Sequence, residues 1–245
     1  MNKKKILSLA LVIALLAIMV GSSLAYFTAQ DEVTNVFTVG SVKVEIYENG
    51  EATEDIENDF GPLIPVVNTA NPSADPSYQA KVVNVHNTGM NAAYVRTHIA
   101  VPTKLVNYLE LDVAGTGWKY KGSSTASDGV VEYTVYTYDY TEKLEPNKST
   151  TELLRGAYLD SDVDLLENED GNLEFIRRNL STGEVSHESG FVAHIKGDDG
   201  KYTSAQVNIL VATQAIQADG FEGYADALAA GFPAANPWVT VTPNP

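Results

Sequence analysis

The sequence predicts an all-β fold, a jelly-roll-like β-sandwich with one short C-terminal helix, preceded by a cleaved signal peptide. Three observations predict it. Short β-branched and aromatic runs recur along the chain, clusters of Gly, Pro and Asn separate them, and a single stretch near the C-terminus has helical spacing.

The elements follow in chain order. Lys3, Lys4 and Lys5 precede an apolar run from Ile6 to Val20 that only Ser8 interrupts, and Ser23-Leu24-Ala25 fits the small-x-small rule for cleavage. Residues 1–25 therefore read as a secretory signal peptide cut between Ala25 and Tyr26. The run is shorter than the roughly 20 residues that span a bilayer, so a membrane association is expected only of the uncleaved precursor. Residues 26–40 form an N-terminal segment, and 41–245 a single sandwich domain with a variable acidic loop region near 160–190.

Within Val36–Tyr47, Phe37 and Val39 alternate; after Gly40 the phase changes to Val42, Val44 and Ile46, which predicts a bend at Gly40-Ser41. Ala80–Asn87 and Ala93–Val101 read as strands joined by a hairpin-like turn, Asn87–Asn91. Val130–Tyr138 is β-branched and tyrosine-rich, and Leu153–Leu159, Glu174–Leu180, Gly190–Lys196 and Ser204–Gln214 complete the strands. Asn68–Pro76, Gly122–Gly129 and Asp160–Asn172 read as loops, the last acidic and exposed. Gly220–Gly231 is the helix, with Phe221, Tyr224 and Leu228 at i, i+3 and i+7. Val239 and Val241 alternate in a tail that ends in prolines.

Composition narrows the function. The chain has no cysteine, which removes thiol catalysis, thiolate metal sites and disulfide stabilisation. Its net charge is −16, and loss of three lysines with the signal peptide takes this to −19. Such a charge disfavours nucleic acid and anionic lipid, since both are bound by neutralising phosphate with Lys and Arg. Subunits so charged would repel until screened, so any self-assembly should depend on salt.

No catalytic constellation stands out. His187-Glu188-Ser189-Gly190-Phe191 has Phe191 where a zinc-protease helix needs its second His. His86, His98 and His194 fall in predicted strands as ordinary strand residues. Asp160, Asp162, Asp164 and Glu167 resemble a calcium loop, but Leu165 and Gly171 stand where an EF-hand needs Gly and Glu. A nonstandard calcium site is one expectation for these four; a solvated acidic loop is the other, and no other cofactor is expected. There is no G-x-S-x-G elbow. Tyr133–Tyr140 would suit either sheet packing or a flat platform for carbohydrate.

Four segments, in order, resemble the TasA/camelysin family of secreted biofilm-fibre proteins. In Leu24–Glu45 the matching residues are Thr34, Asn35, Phe37 and Gly40; in Lys81–Val101 they are Asn87-Thr88-Gly89 and Tyr94-Val95-Arg96, the Arg exposed in the family. In Gly129–Leu154 they are Leu144, Pro146, Thr150 and Leu153, with Asn147 where Gly is usual; Asn tolerates the left-handed backbone that Gly supplies. Val211–Gly220 is similar to the closing strand.

The resemblance implies a secreted, non-enzymatic subunit of extracellular matrix or cell-surface fibres. It implies processing by a signal peptidase of SipW type, polymerisation by donating the N-terminal strand to the next copy, and a minor fibre or anchor protein as a further partner. Tyr26, Phe27, Ala29, Val33, Phe37 and Gly40 would serve self-assembly, Gly40 as the hinge. The alternatives are a monomeric adhesion or carbohydrate-binding module and, third, a secreted hydrolase.

Overall fold

The structure, a computed structural model, describes residues 28–31, 42–52, 64–67, 70–187, 190–205 and 208–232. The signal peptide, its cleavage point at Ala25 and Tyr26, the bend at Gly40-Ser41, and the positions Phe27, Val33 and Phe37 lie outside these residues.

The described residues form antiparallel sheets and one short C-terminal helix, as the sequence predicts. The strands are β1 (Thr28–Asp31), β2 (Val44–Glu48), β3 (Glu51–Ala52), β4 (Gln79–Asn87), β5 (Ala93–Pro102), β6 (Leu109–Val113), β7 (Trp118–Ser127) and β8 (Glu132–Tyr140). They continue with β9 (Leu154–Leu159), β10 (Val163–Glu167), β11 (Leu173–Arg178), β12 (Val185–Ser186), β13 (Val192–Lys196), β14 (Tyr202–Ser204) and β15 (Leu210–Gln217), and the helix α1 is Tyr224–Gly231. One sheet runs β1-β15-β5-β8-β7, a second β3-β2-β4-β9-β6, and a third β10-β11-β13-β14 with β12 beside β11.

The first two sheets face each other across one core. Alternate residues point inward, so Val44 and Ile46 of β2, Val83 and Val85 of β4 and Ala157 and Leu159 of β9 meet Val95, Ile99 and Val101 of β5 and Val211 and Ala215 of β15. Burying such side chains contributes about 1.5–3 kcal/mol each. Trp118 and Tyr140 close the core beside the β7–β8 pair, their ring centroids 5.0 Å apart.

Asn87–Asn91 does not make a hairpin. β4 pairs with β2 and β9, whereas β5 pairs with β15 and β8, so the turn carries the chain from one sheet to the other. Asn87 fixes this crossover: its buried side-chain amide donates to the carbonyls of Asn91 and Leu144, both at 2.9 Å, and its Oδ1 accepts from the Gly89 N–H. The Asn147 N–H in turn donates to the Asn87 carbonyl at 2.8 Å. Asn147 has φ +56°, the left-handed conformation expected of it. Two segments of the family resemblance thus touch in space, though 60 residues separate Asn87 from Asn147.

Two expected loops are strands. Gly122–Ser127 belongs to β7, and only Ser127 to Val131 turn, with Asp128 Oδ1 accepting from the N–H groups of Val130 and Val131. Ser, Thr and Gly are weak strand formers; here the strongly β-prone β8 supplies the template, and their exposed side needs no apolar groups. In the acidic region, Val163–Glu167 pairs with β11 because Asp162 and Asp164 meet Arg177 and Arg178 across that pair. The expected strand Ser204–Gln214 is two, β14 and β15, in different sheets. The third sheet reaches the core through Val163, Phe175 and Ala193.

Candidate functional site

β15 is a strand with no charged side chain, LVATQAIQ, and Val211 to Ile216 are buried on both faces. One side of it bonds β5 along its whole length, from Leu210↔Ala100 to Gln217↔Ala93. Among the described residues, the other side bonds β1 over half its length: Thr28↔Ile216, Ala29↔Ala215, Gln30↔Gln214 and Asp31↔Thr213. Unpaired N–H and C=O groups on such an edge form a template for another strand. Of the residues expected to serve self-assembly, Ala29 is described, and it sits on this edge. Sequence reasoning named no edge; a strand-length run without charge at Leu210–Gln217 is the signal that marks this one.

A buried polar row crosses the same sheet on the face away from the core. Arg96 of β5 grips Asp139 of β8 with two bonds, Nε to Oδ1 at 2.6 Å and Nη2 to Oδ2 at 3.1 Å, while Lys121 of β7 stands 4.0 Å away. Arg96 Nη1 donates to the Phe232 carbonyl at 3.0 Å, fastening the end of α1 to the sheet. His98 Nδ1 lies 3.0 Å from Thr137 Oγ1, and its Nε2 lies 3.0 Å from Gln214 Oε1 on β15. With an amide oxygen as its partner, Nε2 carries the hydrogen and Nδ1 accepts from the Thr137 hydroxyl. Burial lowers the His98 pKa to about 4, which keeps the ring neutral at physiological pH. Arg96 was expected to be exposed; it is buried, because Asp139 faces it directly across the β5–β8 pair.

The calcium candidates do not converge. Asp162 Oδ1 accepts from Arg177 Nη1 at 2.6 Å and Asp160 Oδ2 lies 3.6 Å from it; Asp164 binds Arg178 Nε at 2.8 Å, and Glu167 meets Lys196 at 3.3 Å. Each carboxylate already faces a cation. Among the described residues no three His, Asp or Glu side chains are grouped to hold a metal ion. His86 and His194 pair with Ser149 and Ser204 respectively. Phe191, in the place of the second zinc histidine, stacks on Phe175 with ring centroids 5.6 Å apart.

The tyrosines of β8 are not one platform. Tyr133 and Tyr140 are buried, and Tyr136 and Tyr138 pack half-buried against the core. Strand alternation puts Tyr133 on the face opposite Tyr136 and Tyr138. No helix among the described residues is long and apolar enough to cross a membrane. No protein-family model matches this sequence, and no curated protein matches it.

Proposed function

We propose that this protein is a secreted structural subunit of extracellular fibres, with a jelly-roll-like sandwich that polymerises when the N-terminal segment of one copy pairs with β15 of the next. The observation that carries this reading is the pairing of β1 with β15. It gives an N-terminal strand that fits an uncharged edge in antiparallel register, joined to its own domain through residues 32–41. A segment that docks on its own edge docks equally on that of an identical neighbour, which is the logic of strand exchange. The repeated passage of the chain between the first two sheets, from β4 to β5, β6 and β7, supports the jelly-roll description. The family likeness, on its four segments, supports secretion through a SipW-type peptidase and a place in the biofilm matrix. The reading needs no cofactor and no catalytic group.

The test is deletion of Tyr26–Val36 from a chain that begins at Tyr26. Electron microscopy and size-exclusion chromatography over a range of salt should show filaments from the parent. The deletion variant should give a folded monomer. Unchanged filaments from the shortened chain would overturn strand donation, and a parent that stays monomeric at every salt would overturn the fibre reading.

A further inference from the structure

Leu109, Leu111 and Val113 of β6 and Ala157 and Leu159 of β9 point into the core, so alternation puts Glu110, Asp112, Gly156 and Tyr158 on the outer face of the second sheet. Tyr78 stands one residue before β4, yet its hydroxyl donates to Asp112 Oδ2 on β6 at 2.8 Å. β9 runs between those strands, with Gly156 opposite Ala80 on one side and Asp112 on the other. A side chain standing upright on a sheet cannot bridge two strand spacings, about 9.5 Å. The Tyr78 ring therefore lies across β9. The glycine permits this, because a Cβ on Gly156 would come within 2.4 Å of both Cζ and the hydroxyl oxygen of Tyr78. Asp112 is held in turn, its Oδ1 accepting from Arg155 Nη2 at 2.6 Å. Burial raises the Tyr78 pKa and the Asp112 carboxylate adds to the effect, so the phenol keeps the proton it donates. Tyr78 is only half-buried, and with its underside on Gly156 the part left open is its outer side. Tyr158 extends this surface. Its ring centroid is 6.2 Å from that of Tyr78, the two planes differ by 31°, and it too is half-buried. Glu110, opposite Tyr158, and Arg155 bring half-exposed side chains to the rim.

We infer that this face binds an uncharged polysaccharide, whose hexose rings stack on Tyr78 and Tyr158 and whose hydroxyls meet Glu110, Asp112 and Arg155. The C–H groups on one side of a hexose ring are weakly positive and rest against the negative face of an aromatic ring. The hydroxyls point outward from the sugar and need acceptors and donors at the rim, which two carboxylates and a guanidinium supply. A ring separation of 6.2 Å is on the scale of one sugar residue, so neighbouring units of a chain can each take a tyrosine. Charge selects against an anionic chain. Glu110, Asp112, Asp160 and Asp162 outnumber Arg155 and Arg177 at this end of the sheet, in a chain of net charge −16. A clamp on the start of β4 would need only the Tyr78 hydroxyl bond. The second ring, at a shallow tilt and also open to solvent, is what a stacked ligand uses. These tyrosines lie on a different sheet from those of β8, and the inference does not rest on the fibre reading.

Native electrophoresis at low salt, which keeps acidic copies apart, tests it. The chain beginning at Tyr26 is run through gels that hold a soluble β-1,3-glucan, β-1,4-glucan, mannan or galactan, with polygalacturonate as the anionic control. At least one neutral polysaccharide should retard the protein, and polygalacturonate should not. Tyr78→Ala and Tyr158→Ala should each raise the polysaccharide concentration needed by roughly tenfold, the loss of one stacked ring. Tyr78→Phe keeps the ring and loses only its tether, so it should weaken retardation less. Retardation by none of the four neutral chains would overturn the inference, as would retardation that both Ala variants retain in full. Stronger retardation by polygalacturonate than by any neutral chain would overturn the assignment to an uncharged ligand. If Tyr78→Ala fails to fold, Tyr158→Ala and Arg155→Ala decide, and unchanged retardation in both would overturn the site.

Discussion

The two long edges of the first sheet are built to opposite rules. β7, at one edge, carries Lys119 and Lys121 and has a register shift between Tyr120 and Gly122. Charge on an edge and a bulge that twists it away are the usual protections against pairing with another chain. β15, next to the other edge, has neither a charge nor a bulge against its neighbours, and among the described residues its free side is capped over Thr213–Ile216 by β1. One edge thus carries both protections and the other lacks them, and under the proposed function the unprotected edge is the one that receives a strand. If strands add to this sheet as proposed, the difference gives the addition a direction, set by side-chain charge.

The buried polar groups lie between the two edges, and breaking their ion pair should give the largest effect. Asp139 is 1% exposed and holds Arg96. Asp139→Ala leaves a guanidinium buried without its counter-charge, which costs about 3–5 kcal/mol. Urea denaturation should show that loss, and hydrogen exchange should rise in β15 as well as in β8. A loss under about 1 kcal/mol would mean that Arg96 finds water and that the row does not couple the edges.

The next effect depends on pH. The folded-state pKa of His98 is about 4 against an ordinary 6.5. A base whose pKa is lowered in the native state is bound by protons more readily when unfolded, so stability rises with pH across that window. His98 therefore contributes fully above about pH 6.5, and that contribution is lost as pH falls toward 4, by about 3 kcal/mol in all. The carboxylates titrate in the same range, so the informative quantity is the difference between the parent and His98→Gln. The parent should lose more stability than the variant between pH 7 and pH 4.5. Parallel curves would show that His98 protonates without cost, with Thr137 rotating to accept.

Much of the fold was legible in the sequence, and the failures have physical causes. Alternation found β2, β4, β5, β8 and β9 because each buries one face or both against the core. It missed β7, where Ser-Ser-Thr-Ala-Ser is a strand by courtesy of β8 and looks like a linker in isolation. The exposed Arg implied by the family resemblance is also not seen at Arg96, whose partner Asp139, 43 residues away, is set opposite it only by the β5–β8 pairing. Asn147 could be read correctly because its constraint is local: a left-handed φ needs only a residue that tolerates one. Of the residues singled out for self-assembly Ala29 alone is described, and the strand it pairs with could not be read from the sequence, because that required knowing which side of β15 faces away from β5.

The smallest expected change in stability tests the comparison most directly. Lys119 and Lys121 are exposed on β7, and the 4.0 Å approach of Lys121 to Asp139 is too loose and too wet to contribute much. Lys119→Thr with Lys121→Thr should therefore move stability by no more than about 0.5 kcal/mol. Association should respond differently. Loss of two cations makes an already acidic chain more negative, so the measurement belongs at high salt, where repulsion between copies is screened. Sedimentation velocity should then show new oligomers in the double variant that persist when Tyr26–Val36 is removed, because they form through β7 and not through a donated strand. If the double variant sediments as the parent does, charge is not what guards β7. The register shift at Tyr120 and Gly122 would then be the protection, and the contrast between the edges would be one of backbone geometry.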